Sequence, residues 1–169
     1  TRKLLEDPYH FWYIGKSYYD STLGDYPLGM DHIKEYARRS IFYFAQYLNY
    51  KHEYHITGQA KQLDELAYFA LYAMGDMNKL CGNYEKALDC GMRAEEFAPP
   101  RNEHIVLQAE CYRDLQDYDS MKMQTDRLMD PDRKLPFPEF NFLLNMEHYN
   151  DSGKYCNQLN DFVLEKITK

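Results

Sequence analysis

The chain has 169 residues, enough to bury the core of one domain, and 17 tyrosines and 9 phenylalanines supply much of its 44% hydrophobic content, which predicts an aromatic-rich core. A formal net charge of −7 argues against a general nucleic-acid or anionic-membrane surface, since both need a basic face, and it is the ordinary charge of a cytoplasmic domain. The longest apolar run, Leu66 to Met74, is far shorter than the ~20 residues of a membrane span, so we expect no membrane segment.

The first predicted helix pair covers residues 8–48. Asp7-Pro8 is a helix-start signal, and Phe11, Ile14, Gly15 and Tyr18 then fall on one helical face. A polar, glycine-bearing stretch, Ser21 to Gly29, stands where a tight turn is expected. A long amphipathic helix follows from about Asp31 to Leu48. Its inward residues are predicted to be Ile33, Tyr36, Ile41, Phe44, Tyr47 and Leu48. Measured against a standard repeat, the pair carries an insertion of about a dozen residues.

The second predicted pair covers residues 68–99. The polar segment Asn49 to Gly58 reads as a connector, and helices are predicted from about Gln59 to Leu80 and from Glu85 to Phe97. Pro99-Pro100 ends the pair, because proline cannot continue a helix.

Two further pairs are predicted at 102–131 and 138–167. Helices from Asn102 to Leu115 and from Tyr118 to Met129 form the third pair. Prolines then interrupt the chain, and a fourth pair ends near Ile167. The residues that place this last pair in register are Phe142, Tyr149, Gly153, Tyr155 and Phe162.

An internal repeat with a period of about 34 residues identifies the architecture. The turn Gly82-Asn83-Tyr84-Glu85-Lys86-Ala87-Leu88 reappears in altered form as Gln116-Asp117-Tyr118-Asp119-Ser120-Met121-Lys122. Upstream, Leu71, Met74, Gly75 and Asn78 are matched by Ile105, Gln108, Ala109 and Tyr112. This is the tetratricopeptide pattern. It predicts an all-α, right-handed solenoid of about four antiparallel helix pairs, forming a single domain over 1–169.

The first helices of such pairs build an inner, concave wall, which is the predicted recognition surface. By register it carries Trp12, Lys16, Tyr19, Tyr72, Asp76, Lys79, Val106, Glu110 and Arg113. Aromatic groups among charges suit a peptide, or sugar rings stacked on Trp12 and Tyr19. The alternative is that these are ordinary residues of a groove that packs against a neighbouring domain. Asp76 and Glu110 disfavour the grip on an acidic peptide terminus that basic repeat walls provide.

Three segments resemble the helical repeat region that follows the catalytic domain in some family 2 glycosyltransferases. The opening run Asp7-Pro8-x-x-Phe11-Trp12-Tyr13-Ile14-Gly15-Lys16-Ser17-Tyr18-Tyr19-Asp20 is similar to that region's first helix. A later segment of that region is similar to Pro99-Pro100-Arg101-Asn102-Glu103. An acidic pair in the same region is similar to the one in Leu63-Asp64-Glu65. The resemblance extends from Glu6 to about Tyr149.

The resemblance implies a non-catalytic appendage of a glycosyltransferase that helps to bind the acceptor or a partner. The nucleotide-sugar and any divalent metal would then belong to the parent's catalytic domain, with no cofactor in these helices. Because the chain begins at Thr1 rather than methionine, we expect a fragment of a longer protein. The expected partners are the attached domain, a protein or peptide, or a glycan acceptor. The alternative is a free-standing adaptor that binds a protein partner and has no connection with sugar transfer.

No residue set predicts catalysis or a metal site. The Asp-x-Asp at Asp130-Pro131-Asp132 lies in a proline-broken loop, where turn chemistry explains it better. His52 and His55 have i, i+3 spacing without an evident third ligand, which favours a solvated connector. The four cysteines, Cys81, Cys90, Cys111 and Cys156, show no C-x-x-C spacing and are expected to be reduced thiols.

Overall fold

A computed structural model describes residues 8–24, 29–51, 60–97, 101–132 and 152–168. Within these ranges all regular secondary structure is α-helical, which confirms the all-α part of the predicted fold. The helices are α1 (Pro8–Leu23), α2 (Met30–Lys51), α3 (Ala60–Leu80), α4 (Tyr84–Glu95), α5 (Glu103–Asp114), α6 (Tyr118–Met129) and α7 (Ser152–Ile167).

The chain divides into two compact units, Thr1–Ala98 with α1 to α4 and Pro99–Lys169 with α5 to α7. Consecutive helices pack on one another within each unit, and α1 also contacts α3 as α5 contacts α7. This is the local packing that a helical repeat requires. The right-handed solenoid and the single domain over 1–169 stay predictions.

Most helix boundaries agree with the sequence to within one or two residues, with two exceptions. The first is the end of α2, where Asn49, Tyr50 and Lys51 continue the helix although the sequence predicts a connector from Asn49. The second is the predicted insertion. Ser21 and Thr22 belong to α1 rather than to a loop, because their hydroxyls donate to the carbonyls of Ser17 (2.8 Å) and Tyr19 (2.7 Å) on the preceding turn. Ser21, Thr22 and Leu23 therefore extend α1, which has 16 residues, whereas residues 25–28 of the predicted insertion lie outside the described residues. The first helix of the predicted fourth pair falls outside the described residues.

Aromatic rings form the core where α1, α2 and α3 meet. The Phe44 ring lies edge-on to Phe69, with centroids 5.7 Å apart, and close to Trp12 at 6.2 Å. Both phenylalanines and the tryptophan are buried. Edge-to-face pairs of this kind add to the stabilisation from burial. The core of this unit is thus aromatic, as the composition predicts.

Gly15 allows α1 and α2 to approach closely. A Cβ placed there would lie 3.0 Å from the Phe44 ring, so a larger residue would displace it. On the same side, the buried Ser40 hydroxyl donates to the Gly15 carbonyl at 2.9 Å. The corresponding small residues of the next pair, Gly75 and Ala87, are both buried. The repeat pattern predicts that these two small residues meet where α3 and α4 cross.

The second unit has an aliphatic core contributed by α5, α6 and α7. Its buried members are Ile105, Val106, Ala109, Met121, Leu128, Cys156, Leu159 and Val163. Tyr118 and Phe162 pack against its margin, with ring centroids 6.2 Å apart. Burial of this apolar surface explains how three helices of modest length hold together.

The turns after α3 and α5 share one backbone geometry and lie one repeat period apart in the chain. Gly82 (φ +79°) and Gln116 (φ +59°) are both left-handed. The amide of Asn83 donates to the carbonyl of Asn78 at 2.8 Å, and that of Asp117 donates to Tyr112 at 2.9 Å. With the matching bonds from the two left-handed residues, to Lys79 (2.9 Å) and Arg113 (3.0 Å), each turn is a Schellman motif. The sequence period is therefore also a period of the structure.

Candidate functional site

Trp12 and Tyr19, two members of the predicted wall, lie in the packing of α1 on α3. They are 4% and 2% exposed. The Trp12 indole nitrogen donates to the Leu66 carbonyl at 3.0 Å, and the Tyr19 ring lies 5.7 Å from that of Phe69. Sugar stacking needs an open ring face, so a ligand would reach these rings only if α1 and α3 separated.

Asp76 is the centre of a cluster in the first unit. Its carboxylate accepts a hydrogen bond from the Tyr19 hydroxyl at 3.2 Å, and its other oxygen lies 3.6 Å from the Lys79 ammonium. Asp76 and Lys79 are about one-fifth exposed. The cluster links α1 to α3, and the ion pair of Asp76 with Lys79 stays partly exposed to solvent.

The second unit repeats this arrangement one period later. The Glu110 carboxylate accepts from the Tyr155 hydroxyl at 2.9 Å and lies 3.9 Å from the Arg113 guanidinium. Glu110 follows Asp76, and Arg113 follows Lys79, by the same repeat period, so acid and base occupy equivalent positions. Here the tyrosine comes from α7 and ties it to α5. Sequence reasoning missed Tyr155 as a partner, because only the contact between helices reveals it.

The pKa shifts indicate groups that hold their protons firmly. Burial first, and then the Glu110 charge, raises the pKa of Tyr155 to about 12. Burial also raises the pKa of the Cys90 thiol to about 11 and raises that of Cys156. A nucleophilic cysteine needs a lowered pKa, so these two are packing residues. All four cysteines lie in the described part of the chain, and none is joined in a disulfide.

The other wall residues are distributed among separate contacts. The Lys16 ammonium pairs with Asp20 on its own helix at 2.5 Å. Tyr72 is half-buried on α3, and Val106 belongs to the core of the second unit. The structure thus joins Tyr19, Asp76 and Lys79 in one unit and Glu110 with Arg113 in the other. A wall continuous over both units stays a prediction.

A shallow groove of about 320 Å³ lies between α1 and α2, and no sequence pattern predicted it. It is lined by Ile14, Ser17, Tyr18, Ser21 and Tyr36. Ile14 is 38% exposed, whereas Met74 of α3, which the repeat pattern predicts to be its equivalent, is buried. The reason is packing: α3 contacts α1, α2 and α4, whereas among the described helices α1 contacts α2 and α3 alone.

A series of aromatic rings lies beside this groove. Tyr18 is nearly parallel to Tyr43, at 9° with centroids 5.9 Å apart, and Phe11 is nearly parallel to Tyr50, at 11° and 5.5 Å. Arg39 lies over the Tyr18 ring, 5.7 Å from its centroid, and donates to the Tyr18 hydroxyl at 3.4 Å. The hydrogen bonds to Tyr18, and then to Glu35, raise the pKa of Arg39.

Metal-binding patterns are sparse in the part of the chain that the structure describes. No group of three or more His, Cys, Asp or Glu side chains there has the geometry to hold an ion. In Asp130-Pro131-Asp132, the Asp130 carboxylate accepts from the backbone amide of Asp132 at 3.0 Å, which is turn chemistry. The histidine pair at 52 and 55 lies outside the described residues.

None of the described helices has the length and apolar content needed to cross a membrane. Comparisons with family models, curated proteins and solved structures gave no match to this chain.

Proposed function

We propose that this chain is a non-catalytic helical scaffold of the tetratricopeptide type, attached to a glycosyltransferase catalytic domain, that helps to bind the acceptor or a partner. One observation carries the scaffold part of the proposal. The turn that follows α3 recurs one repeat period later, after α5. The acid–base pair on α3 recurs on α5 at the same spacing. A repeat in geometry as well as in sequence is typical of stacked, antiparallel helix pairs.

The recurring clusters explain how such a scaffold could present charge. A half-buried carboxylate needs partners, and in each unit a tyrosine hydroxyl and a basic side chain supply them. The charged groups are thereby held in fixed positions at a partly exposed surface. Fixed polar groups beside aromatic rings favour selective binding, because less side-chain freedom is lost on association.

The shifted pKa values favour binding over chemistry. General acid–base catalysis works best with a group that titrates near neutral pH. Tyr155 and Cys90 are instead shifted upward, to about 12 and about 11. Tyr155 and Cys90 are therefore suited to packing and hydrogen bonding rather than to proton transfer near neutral pH.

The link to sugar transfer rests on the resemblance of the opening helix and of the segment around Arg101 to the repeats of family 2 glycosyltransferases. In that arrangement, the parent's catalytic domain holds the nucleotide-sugar and its divalent metal. These helices then contribute to acceptor binding or to the stability of the whole protein.

Deletion of these helices from the longer protein tests the proposal. We expect transfer to the acceptor to fall more than hydrolysis of the sugar donor, because the donor site remains. Equal loss of both activities, with the truncated protein still folded by circular dichroism, would contradict a role in acceptor binding. A parent that transfers no sugar would favour the adaptor instead.

The adaptor alternative has its own support in exposed aromatic side chains. Tyr13 and Phe42 are 63% and 57% exposed on α1 and α2. Aromatic residues are enriched at protein interfaces. An adaptor would use exposed rings of this kind to bind a protein and would need no catalytic domain.

A further inference from the structure

We infer that the groove between α1 and α2 is a binding site for an uncharged saccharide unit. This inference rests on the proposed function, because it names a ligand class and a location for acceptor recognition. The groove lies on the opposite side of α1 from Trp12 and Tyr19, since Ile14, Ser17 and Ser21 are about half a helical turn away from them. It is therefore separate from the wall that the sequence predicts.

Size and lining set the first limits on the ligand. The volume of about 320 Å³ is at the lower end of the range of small-molecule sites, so one or two rings fit and a folded domain does not. The tyrosines Tyr18 and Tyr36 are half-buried, and each is amphipathic, with an apolar ring and a polar hydroxyl. Sugar rings match this lining because they have apolar C–H faces and polar edges.

The two serine hydroxyls of the groove favour a ligand that carries hydrogen-bond donors. Ser17 and Ser21 already donate to the carbonyls of Tyr13 (2.9 Å) and Ser17 (2.8 Å) within α1. Their oxygens are thus left to accept from a ligand. A purely aromatic or aliphatic ligand would leave these two acceptors unused, whereas sugar hydroxyls donate to such oxygens.

Charge compensation indicates that the ligand is neutral. Among the described residues, the five side chains that line the groove are all uncharged. Arg39, beside the groove, is paired with Glu35 at 3.0 Å and donates to the Tyr18 hydroxyl. That hydroxyl, accepting from Arg39, can in turn donate its own hydrogen to a ligand oxygen. An anionic sugar would have to compete with Glu35 for the guanidinium.

Titration of the ¹⁵N-labelled chain with maltose, cellobiose and lactose tests the site by amide chemical shifts. We expect millimolar binding of at least one of them, with the largest shifts at Ser17, Ser21 and Tyr36. Glucuronate serves as the charged comparison. Absence of shifts with all three neutral sugars, or shifts with glucuronate alone, would overturn the inference.

Substitutions locate the binding. Ser21→Tyr places a ring in the groove from an exposed helical position and should abolish the shifts. Tyr36→Ala should weaken binding roughly three- to tenfold, the range expected from loss of one aromatic contact. Met92→Ala, an exposed position on α4, which contacts α3 alone among the described helices, is the control and should bind as the parent does. Unchanged binding by the folded Ser21→Tyr protein would exclude the groove as the binding site.

The two proposals fail in different ways. If deletion of the helices impairs acceptor use while no sugar shifts the groove amides, the scaffold stands and the groove is excluded. If the groove binds sugar and deletion leaves acceptor use intact, the groove stands as a saccharide site and its part in sugar transfer is excluded.

Discussion

The turn between α3 and α4 and the turn between α5 and α6 have the same hydrogen bonds and different residues. Gly82 holds the left-handed position in the first, and Gln116 holds it in the second. At the following cap, the Asp117 side chain accepts from the Ser120 amide at 3.1 Å, whereas Asn83 makes no side-chain cap bond. The first turn is thus favoured by glycine at its left-handed position. The second is favoured by the Asp117 side chain, which caps the start of the next helix. The repeat is preserved in backbone geometry even where its consensus residues are lost.

The same comparison extends to the packing below each turn. Ala87 and Met121 occupy equivalent positions, one repeat period apart, and both are fully buried. A small residue therefore serves in one pair where a large one serves in the other. The two pairs thus bury side chains of different size at this position although their turns are alike.

Met121→Ala should produce the largest effect. It removes a fully buried side chain from the core of the second unit, and the resulting cavity should cost about 2–5 kcal/mol. Urea unfolding followed by circular dichroism measures it. A loss below about 1 kcal/mol would mean that the space at this position is not filled by Met121.

Ala87→Leu is the reciprocal change in the first unit. If Ala87 meets Gly75 at the helix crossing, the larger side chain should cost about 1–3 kcal/mol through overpacking. Thermal or urea melts compare it with the parent. An unchanged midpoint would show that the register of this pair is wrong and that the two sites do not correspond.

Exchange of the left-handed residues tests the turns themselves. Gly82→Gln should cost about 1 kcal/mol through its positive φ alone, because a Cβ at that position meets no atom within 4 Å. Gln116→Gly should stabilise by less, since glycine also loses more freedom on folding. Both are measured by urea midpoints. Stabilisation by Gly82→Gln would contradict the assigned turn geometry.

Alkaline pH should destabilise the second unit through Tyr155. The pKa of Tyr155 rises from 10.0 to about 12 in the folded chain. Its stabilising contribution is therefore complete below pH 10 and is lost as the pH increases from about 10 through about 12. In Tyr155→Phe this part of the decline should disappear, while Tyr112, whose pKa burial also raises, remains in both proteins. Parallel stability curves for the two proteins would exclude the assigned shift.

Most of the helices could be predicted from the sequence, because apolar spacing and helix-end signals are local. The predicted helix from Tyr118 to Met129 coincides with α6, and those of α3 and α5 differ from the structure by single residues at their ends. The prediction of a loop from Ser21 was wrong because polar side chains that are typical of loops can also donate hydrogen bonds to the carbonyls of their own helix.

The candidate site was less predictable, because it depends on which helices meet. Periodicity placed Trp12 and Tyr19 on one face of α1 but did not reveal that α3 covers them. It also did not reveal the contact of Tyr155 with Glu110, 45 residues away. The groove requires the relative position of Tyr36 and Ser17 on two helices, which no local pattern encodes. The equivalence of the two acid–base pairs, in contrast, was visible directly in the sequence.

Calorimetry of this chain with a panel of nucleotide-sugars and Mn²⁺ tests most directly whether the helices form a scaffold rather than a donor site. We expect the helices to bind nucleotide-sugars no more tightly than millimolar, a free energy of about −4 kcal/mol, because the donor site would lie in the parent's catalytic domain. Micromolar binding of any nucleotide-sugar would place a donor site within these helices and contradict the account.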